Sequence, residues 1–219
     1  LTAITVDERN ANYCDVDGVL FNKDKTTLIQ YPAKKPGNSY VIPDGVLHIR
    51  EDAFCRCGLL TDIRIPASVT SISDLFQFCD KLTAITVDEQ NASYCDADGV
   101  LFSKDKTALI RYPEKKPGSS YVVPDSVLRI GKDAFFNCDL LAEIRIPASV
   151  REISDAFRFC SALAFFTVNT GNSSYCDFDG VLFNKDQTLL VCYPAGRSSS
   201  AYTIPDGVVT VEKYALMNF

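Results

Sequence analysis

Short alternations of apolar and polar residues, each closed by proline, recur along the chain. In "DIRIP", Ile63 and Ile65 flank Arg64, and Pro66 follows. Period-two alternation predicts a short strand with Ile63 and Ile65 inward and Arg64 outward, because successive side chains on a strand face opposite sides. Proline then ends the strand by removing a ladder donor. Thr5, Arg64, Thr86, Arg145 and Thr167 occupy the outward position of successive predicted strands and are expected to line an open sheet face.

These strands belong to a longer repetition. "LTAITVDERNANYCDVDGVLFNKDKT" at residue 1 returns as "LTAITVDEQNASYCDADGVLFSKDKT" at 82 and as "LAFFTVNTGNSSYCDFDGVLFNKDQT" at 163, a period of 81 residues. Residues 1–81 and 82–162 differ at 24 positions, few enough to require one shared structure. Each super-repeat divides into units of 23, 22 and 36 residues that start at Ile42, Ile65 and Val87. Their common frame is I-P-x-x-V-x-x-I, then F-x-x-C-x-x-L-x-x-I. A period near 22 with L-x-x-I-x-I (Leu60, Ile63, Ile65; Leu82, Ile85, Val87) describes a leucine-rich solenoid. The predicted fold is a β-rich, right-handed leucine-rich repeat solenoid with a parallel β-sheet on one face and inserted β-hairpins. It forms one domain over 1–219, with super-repeats 1–81, 82–162 and a truncated 163–219. No repeat buries its own face, so stability comes from neighbours.

Composition narrows the function. A net charge of −6 argues against a nucleic-acid backbone as partner. No apolar run approaches the roughly 20 residues of a membrane span. The chain begins at Leu1 without a signal peptide and stops in mid-repeat, with Phe219 where a Cys is expected. It is therefore expected to be part of a longer protein whose targeting segment lies elsewhere, with an apolar end suited to end-to-end self-association.

Nine cysteines, at 14, 55, 57, 79, 95, 138, 160, 176 and 192, bar complete internal pairing. Cys57, Cys79, Cys138 and Cys160 hold one frame position between Phe and Leu, which predicts a ladder of buried thiols. Zinc is rejected. Only Cys55 and Cys57 are close in sequence, and His48, the single histidine, is replaced by Arg129 and Thr210 in the other copies. No cofactor is expected.

The Asp-x-Asp-Gly segments carry the sharpest chemical suggestion: Asp15/Asp17, Asp96/Asp98 and Asp177/Asp179. A phosphatase of the haloacid dehalogenase type opens its active site with such a pair, the first Asp as nucleophile and the second as acid. That motif follows a buried apolar strand, whereas "NANY" and "NASY" precede it here and are polar and turn-like. Three copies suit an architecture better than one active site. Calcium is a second rival, but the glycine stands at position four, and no Glu follows at the EF-hand distance. The structural expectation is a turn, with Gly18, Gly99 and Gly180 at positive φ and the aspartates solvated. "VLF" then pairs with "TLIQYP" across "NKDK" as a hairpin, and Val19, Leu20, Phe21, Leu28, Ile29 and Tyr31 pack it on the solenoid. The loops "AKKPG" and "EKKPG" place Lys34, Lys35, Lys115 and Lys116 where an anionic glycan would meet them. Asn91 and Asn172 begin N-x-S sequons.

"IPASVTSISDLFQFCDKLTAI" and "VPDSVLRIGKDAFFNCDLLAEI" resemble the BspA-like class of leucine-rich repeats over essentially the whole chain. The segments "SDLF" and "SDAF" depart from its usual form by one missing residue. The resemblance implies a non-catalytic cell-surface or secreted protein that attaches to host or neighbouring-cell surface proteins, including extracellular-matrix glycoproteins. The alternative from the residues is a structural spacer, favoured by near-identical copies.

Overall fold

The computed structural model describes residues 1–73, 76–199 and 201–217. The shortened "SDLF" segment falls partly on residues 74 and 75, so it and Phe219 lie outside the described residues. In the second copy the equivalent segment passes through Asp155 at a φ of 41°. The chain forms two compact units, Leu1–Asp105 with Pro113–Lys116, and Lys106–Tyr112 with Pro117–Phe219.

The first unit contains β1 (Tyr13–Val16), β2 (Val19–Asn22), β3 (Thr27–Gln30), β4 (Ser39–Val41), β5 (His48–Ile49), β6 (Asp62–Ile65), β7 (Ser71–Ile72), β8 (Ala84–Val87), β9 (Tyr94–Ala97) and β10 (Val100–Ser103). Strands β4, β6 and β8 stack in parallel, with Val41 beside Arg64 and Arg64 beside Thr86. The expected alternation holds, since Ile63 and Ile65 are buried and Arg64 is exposed. A second parallel stack, β3-β5-β7, runs along another side of the turn. Its strands are two to four residues long, too short to leave a readable period.

The inserted hairpin is present as β2 and β3, and a third strand, β1, joins it antiparallel to β2. Val19, Phe21, Leu28 and Tyr31 are buried as expected, while Leu20 and Ile29 are half-buried. Between the two stacks each I-P-x-x-V segment makes a β-turn in which the valine N–H donates to the proline carbonyl, as in Val46 to Pro43 at 3.3 Å and Val69 to Pro66 at 3.4 Å.

The second unit repeats the plan. It holds β11 (Ala108–Arg111), β12 (Ser120–Val122), β13 (Arg129–Ile130), β14 (Glu143–Ile146), β15 (Glu152–Ile153), β16 (Phe165–Val168), β17 (Tyr175–Phe178), β18 (Val181–Asn184), β19 (Leu189–Cys192) and β20 (Thr210–Val211). Strands β12, β14 and β16 are parallel, as are β11, β13 and β15. Strands β17, β18 and β19 form the antiparallel insertion, and β19 pairs in parallel with β20.

Stacked aromatics fill the interior. Tyr31, Phe54 and Phe76 follow one another at ring separations of 5.5 and 5.3 Å, and Tyr112, Phe135 and Phe157 do so at 5.5 and 5.6 Å. Burying a large apolar side chain contributes roughly 1.5–3 kcal/mol. The four ladder cysteines are buried, and each thiol points at the carbonyl of an aromatic residue one turn back, Cys79 at Phe54 (3.1 Å) and Cys160 at Phe135 (2.9 Å). No helix among the described residues is long and apolar enough to cross a membrane.

Candidate functional site

The Asp-x-Asp-Gly segment links β1 to β2, β9 to β10 and β17 to β18 by a two-residue turn. Asp17 and Gly18 have φ of 50° and 73°, and the other two copies match within a degree. Two consecutive positive φ values define the hairpin turn that Asp-Gly favours. Glycine is required twice over. A Cβ on Gly99 would stand 3.0 Å from the Cβ of Ala84, and one on Gly18 2.9 Å from that of Ala3.

The first aspartate is not the solvated side chain expected. Asp96 Oδ1 accepts from the backbone N–H of Val87 at 2.8 Å, Asp15 from Val6 at 2.8 Å, and Asp177 from Val168 at 2.7 Å. The glycine carbonyl adds a second bond to the same strand, Gly99 accepting from Ile85 and Gly180 from Phe166, both at 2.9 Å. The insertion thus satisfies an edge of β8 and of β16 with one carboxylate and one carbonyl, where the next turn's backbone would otherwise stand.

Residues just upstream finish the closure. Asn91 is fully buried; its Nδ2 donates to the carbonyls of Pro66 (2.8 Å) and Val69 (2.9 Å), and its Oδ1 accepts from the N–H groups of Ser93 and Tyr94, both at 2.8 Å. Tyr94 Oη accepts from the N–H of Ile72 at 3.1 Å, the edge of β7. Asn172 and Tyr175 repeat this on Pro147, Val150 and Ile153. "NASY" is therefore more than a polar turn: its tyrosine opens a strand, and its asparagine clamps the turn below. The sequon amides are already committed to the fold.

The second aspartate holds the basic loop. Lys35 Nζ donates to the Asp17 carbonyl at 2.6 Å and to its Oδ2 at 2.9 Å, and Lys116 donates to the Asp98 carbonyl and pairs with its carboxylate at 2.7 Å. Arg197 does the same for Asp179 in the third copy. The Lys35 and Lys116 side chains are only 14% and 13% exposed. The "KKPG" lysine thus carries the loop back to the turn. Lys34 is exposed and Lys115 half-buried.

The outward face is built by the parallel strands. In the first unit Arg64 lies between Val41 and Thr86 and reaches Asp88 at 3.4 Å. In the second, Arg145 lies between Val122 and Thr167. Its guanidinium makes two bonds to Glu143, at 2.7 and 3.1 Å, and the Thr167 hydroxyl donates to the same carboxylate at 3.0 Å. The guanidinium beside Glu143 holds its carboxyl below the usual range. Val41 and Val122 are 64% and 62% exposed, and Phe165 is exposed beside Glu143. Thr5 is exposed and lies outside any regular strand, although its segment makes the same bonds to Gly18 and Asp15 that the Thr86 segment makes to Gly99 and Asp96. Among the described residues no cluster of three or more metal-ligating side chains forms.

The BspA-type leucine rich repeat region matches six copies over residues 33–104 and 114–184, well over half of the chain. The chain belongs to the BspA-type leucine-rich repeat family. Two solved structures share its solenoid fold. The pneumococcal vaccine antigen PcpA is 21% identical, with a TM-score of 0.59 over 83% of this chain and 48% of its own. A leucine-rich repeat protein from Eubacterium ventriosum is 18% identical, with a TM-score of 0.50 over 80% of this chain and 63% of its own. The BspA-type chain thus spans about half the length of the first and less than two thirds of the second. No curated protein matches it significantly.

Proposed function

We propose that the chain is a non-catalytic binding and adhesion module, displayed at the cell surface or secreted, whose ligands are proteins or extracellular-matrix glycoproteins of a host or neighbouring cell. The observation that carries this is the outward sheet face. In each unit an exposed valine, an arginine and a threonine follow one another across a parallel sheet. Arginine is among the residues enriched at interfaces and among their hot spots. The carboxylates that suggested chemistry are instead committed to backbone and lysine partners. Membership of the BspA-type family and likeness to a vaccine antigen support an extracellular setting.

The test is binding of the purified chain to immobilised matrix glycoproteins and glycans at low and high salt, alongside Val41→Lys/Val122→Lys and Arg64→Ala/Arg145→Ala variants. Saturable binding weakened at least tenfold by either pair supports the proposal. Binding that both pairs leave intact removes the sheet face from it. Absence of binding to every target favours the second reading, a spacer, which the 24 differences between two 81-residue copies and their repeated closure support.

A further inference from the structure

The third copy of the insertion departs from the other two at three positions that meet at one turn. Phe165 stands where Ala3 and Ala84 do, Phe178 where Val16 and Ala97 do, and Arg197 where Lys35 and Lys116 do. Phe165 opens β16, and a Cβ built on Gly180 would stand 2.6 Å from its own. Phe178 pairs with Val181 across the two-residue turn of Asp179 and Gly180. Arg197 holds that turn: it donates to the Asp179 carbonyl, and its guanidinium meets the Asp179 carboxylate at 2.6 Å.

Core packing does not account for the two rings. Each replaces a smaller residue, yet Phe165 is 42% and Phe178 56% exposed. Their counterparts Ala84 and Ala97, which are followed in the chain by a further set of turns, are also only half-buried. These positions therefore lie at the surface of the insertion in an internal copy as well.

The polar groups beside the rings are paired with one another. Glu143, opposite Phe165 in the sheet, takes two bonds from Arg145 and one from the Thr167 hydroxyl. Asp179 takes Arg197, and its side chain is 75% exposed. Two carboxylates and two guanidiniums sum to no net charge, so the patch is not built for an ion. A carboxylate keeps lone pairs beyond those its arginine uses, and these remain open to hydroxyl donors. The face of an aromatic ring is negatively polarised and attracts the C–H groups of a sugar's apolar side. Exposed rings beside charge-compensated donors and acceptors suit a neutral, hydroxyl-bearing ligand.

We propose that Phe165, Phe178, Asp179 and Arg197 form a subsite for a neutral glycan carried by a glycoprotein. The proposal rests on the reading of this chain as a binding module and names the group recognised. The first two copies, with Ala, Val and Lys at these places, lack the subsite.

Binding to an array of neutral mannose- and galactose-terminated oligosaccharides, printed beside sialylated and sulfated forms of the same chains, tests this. The chain is expected to bind a neutral oligosaccharide with little dependence on salt, and the charged forms no better. Phe165→Ala and Phe178→Ala are each expected to weaken binding roughly tenfold, about the worth of one aromatic contact. Their melting temperatures are expected to stay close to that of the unmodified chain, because both rings are exposed. Phe165→Tyr is expected to keep binding and Phe165→Leu to lose it, since leucine retains apolar bulk without a ring. Ala84→Phe/Ala97→Phe/Lys116→Arg installs the same set in the second copy and is expected to double the oligosaccharide bound per chain in titration calorimetry. Absence of binding to every neutral oligosaccharide, preference for the charged forms, or binding that Phe165→Leu leaves intact would overturn the proposal. Matrix-protein binding that Val41→Lys/Val122→Lys abolishes would survive each of those results, so the two readings fail separately.

Discussion

Asp96 Oδ1 accepts a 2.8 Å hydrogen bond from the backbone N–H of Val87, nine residues earlier in the chain. The same bond joins Asp15 to Val6 and Asp177 to Val168. A carboxylate placed this way acts as part of a sheet edge, and that role explains why all three copies keep it.

Asp96→Ala leaves the Val87 N–H without its acceptor and is expected to cost about 1–3 kcal/mol. Asp96→Asn keeps an oxygen at the same place and is expected to cost less than half as much. Urea midpoints of the two variants check this. Equal losses would mean that the charge, rather than the acceptor, is what the site needs.

Gly99→Ala meets both a φ of 74° and the Ala84 Cβ at 3.0 Å, and is expected to destabilise by more than about 1 kcal/mol. Gly58 has no positive φ and no neighbour nearer than 3.9 Å, so Gly58→Ala is expected to be close to neutral. Thermal melts of the pair separate the turn requirement from a general sensitivity to added methyl groups.

Asn91→Ala removes four hydrogen bonds in a buried site and takes the side-chain partner from the Val69 carbonyl and from the Ser93 and Tyr94 N–H groups, an expected loss on the order of 3 kcal/mol. Because its Nδ2 is fully engaged, the folded fraction made in a glycosylating host is expected to carry no glycan at Asn91. Peptide mass mapping of the folded, soluble protein reads this directly.

Burial pushes the Cys57 thiol up to about 12, and Cys192 moves in the same direction for the same reason. The folded state therefore keeps a proton that the unfolded chain releases above its ordinary value near 9. The contribution is intact below that value and is lost as pH rises through it toward 12, by up to about 1.4 kcal/mol per pH unit for each such thiol. The urea midpoint is expected to fall between pH 8 and pH 10, and to fall less in Cys57→Ala.

The repeat period, the inward Ile63 and Ile65, the outward Arg64, the hairpin of β2 and β3 and the buried cysteine ladder were all legible in the chain, because each depends on spacing within one turn. Strand β1 was not, since Tyr13-Cys14-Asp15-Val16 carries polar residues that make sense only once Asp15 is seen to face Val6. Strands β5 and β7, two residues each, fall below any detectable period. The grip of Lys35 on Asp17 spans 18 residues and depends on a loop path that composition does not reveal.

What the sequence by itself determined is the unit: its length, its turns, and which side of each strand faces in. What only the tertiary structure decided is the role of a residue within the stack. Asn91 clamps the Pro66 and Val69 carbonyls of the turn below, 25 and 22 residues away in the chain. Burial and hydrogen bonding in a solenoid come from residues 22 to 25 positions away on the neighbouring turn, so the partner of a side chain is set by the stacking of turns and not by its own local sequence.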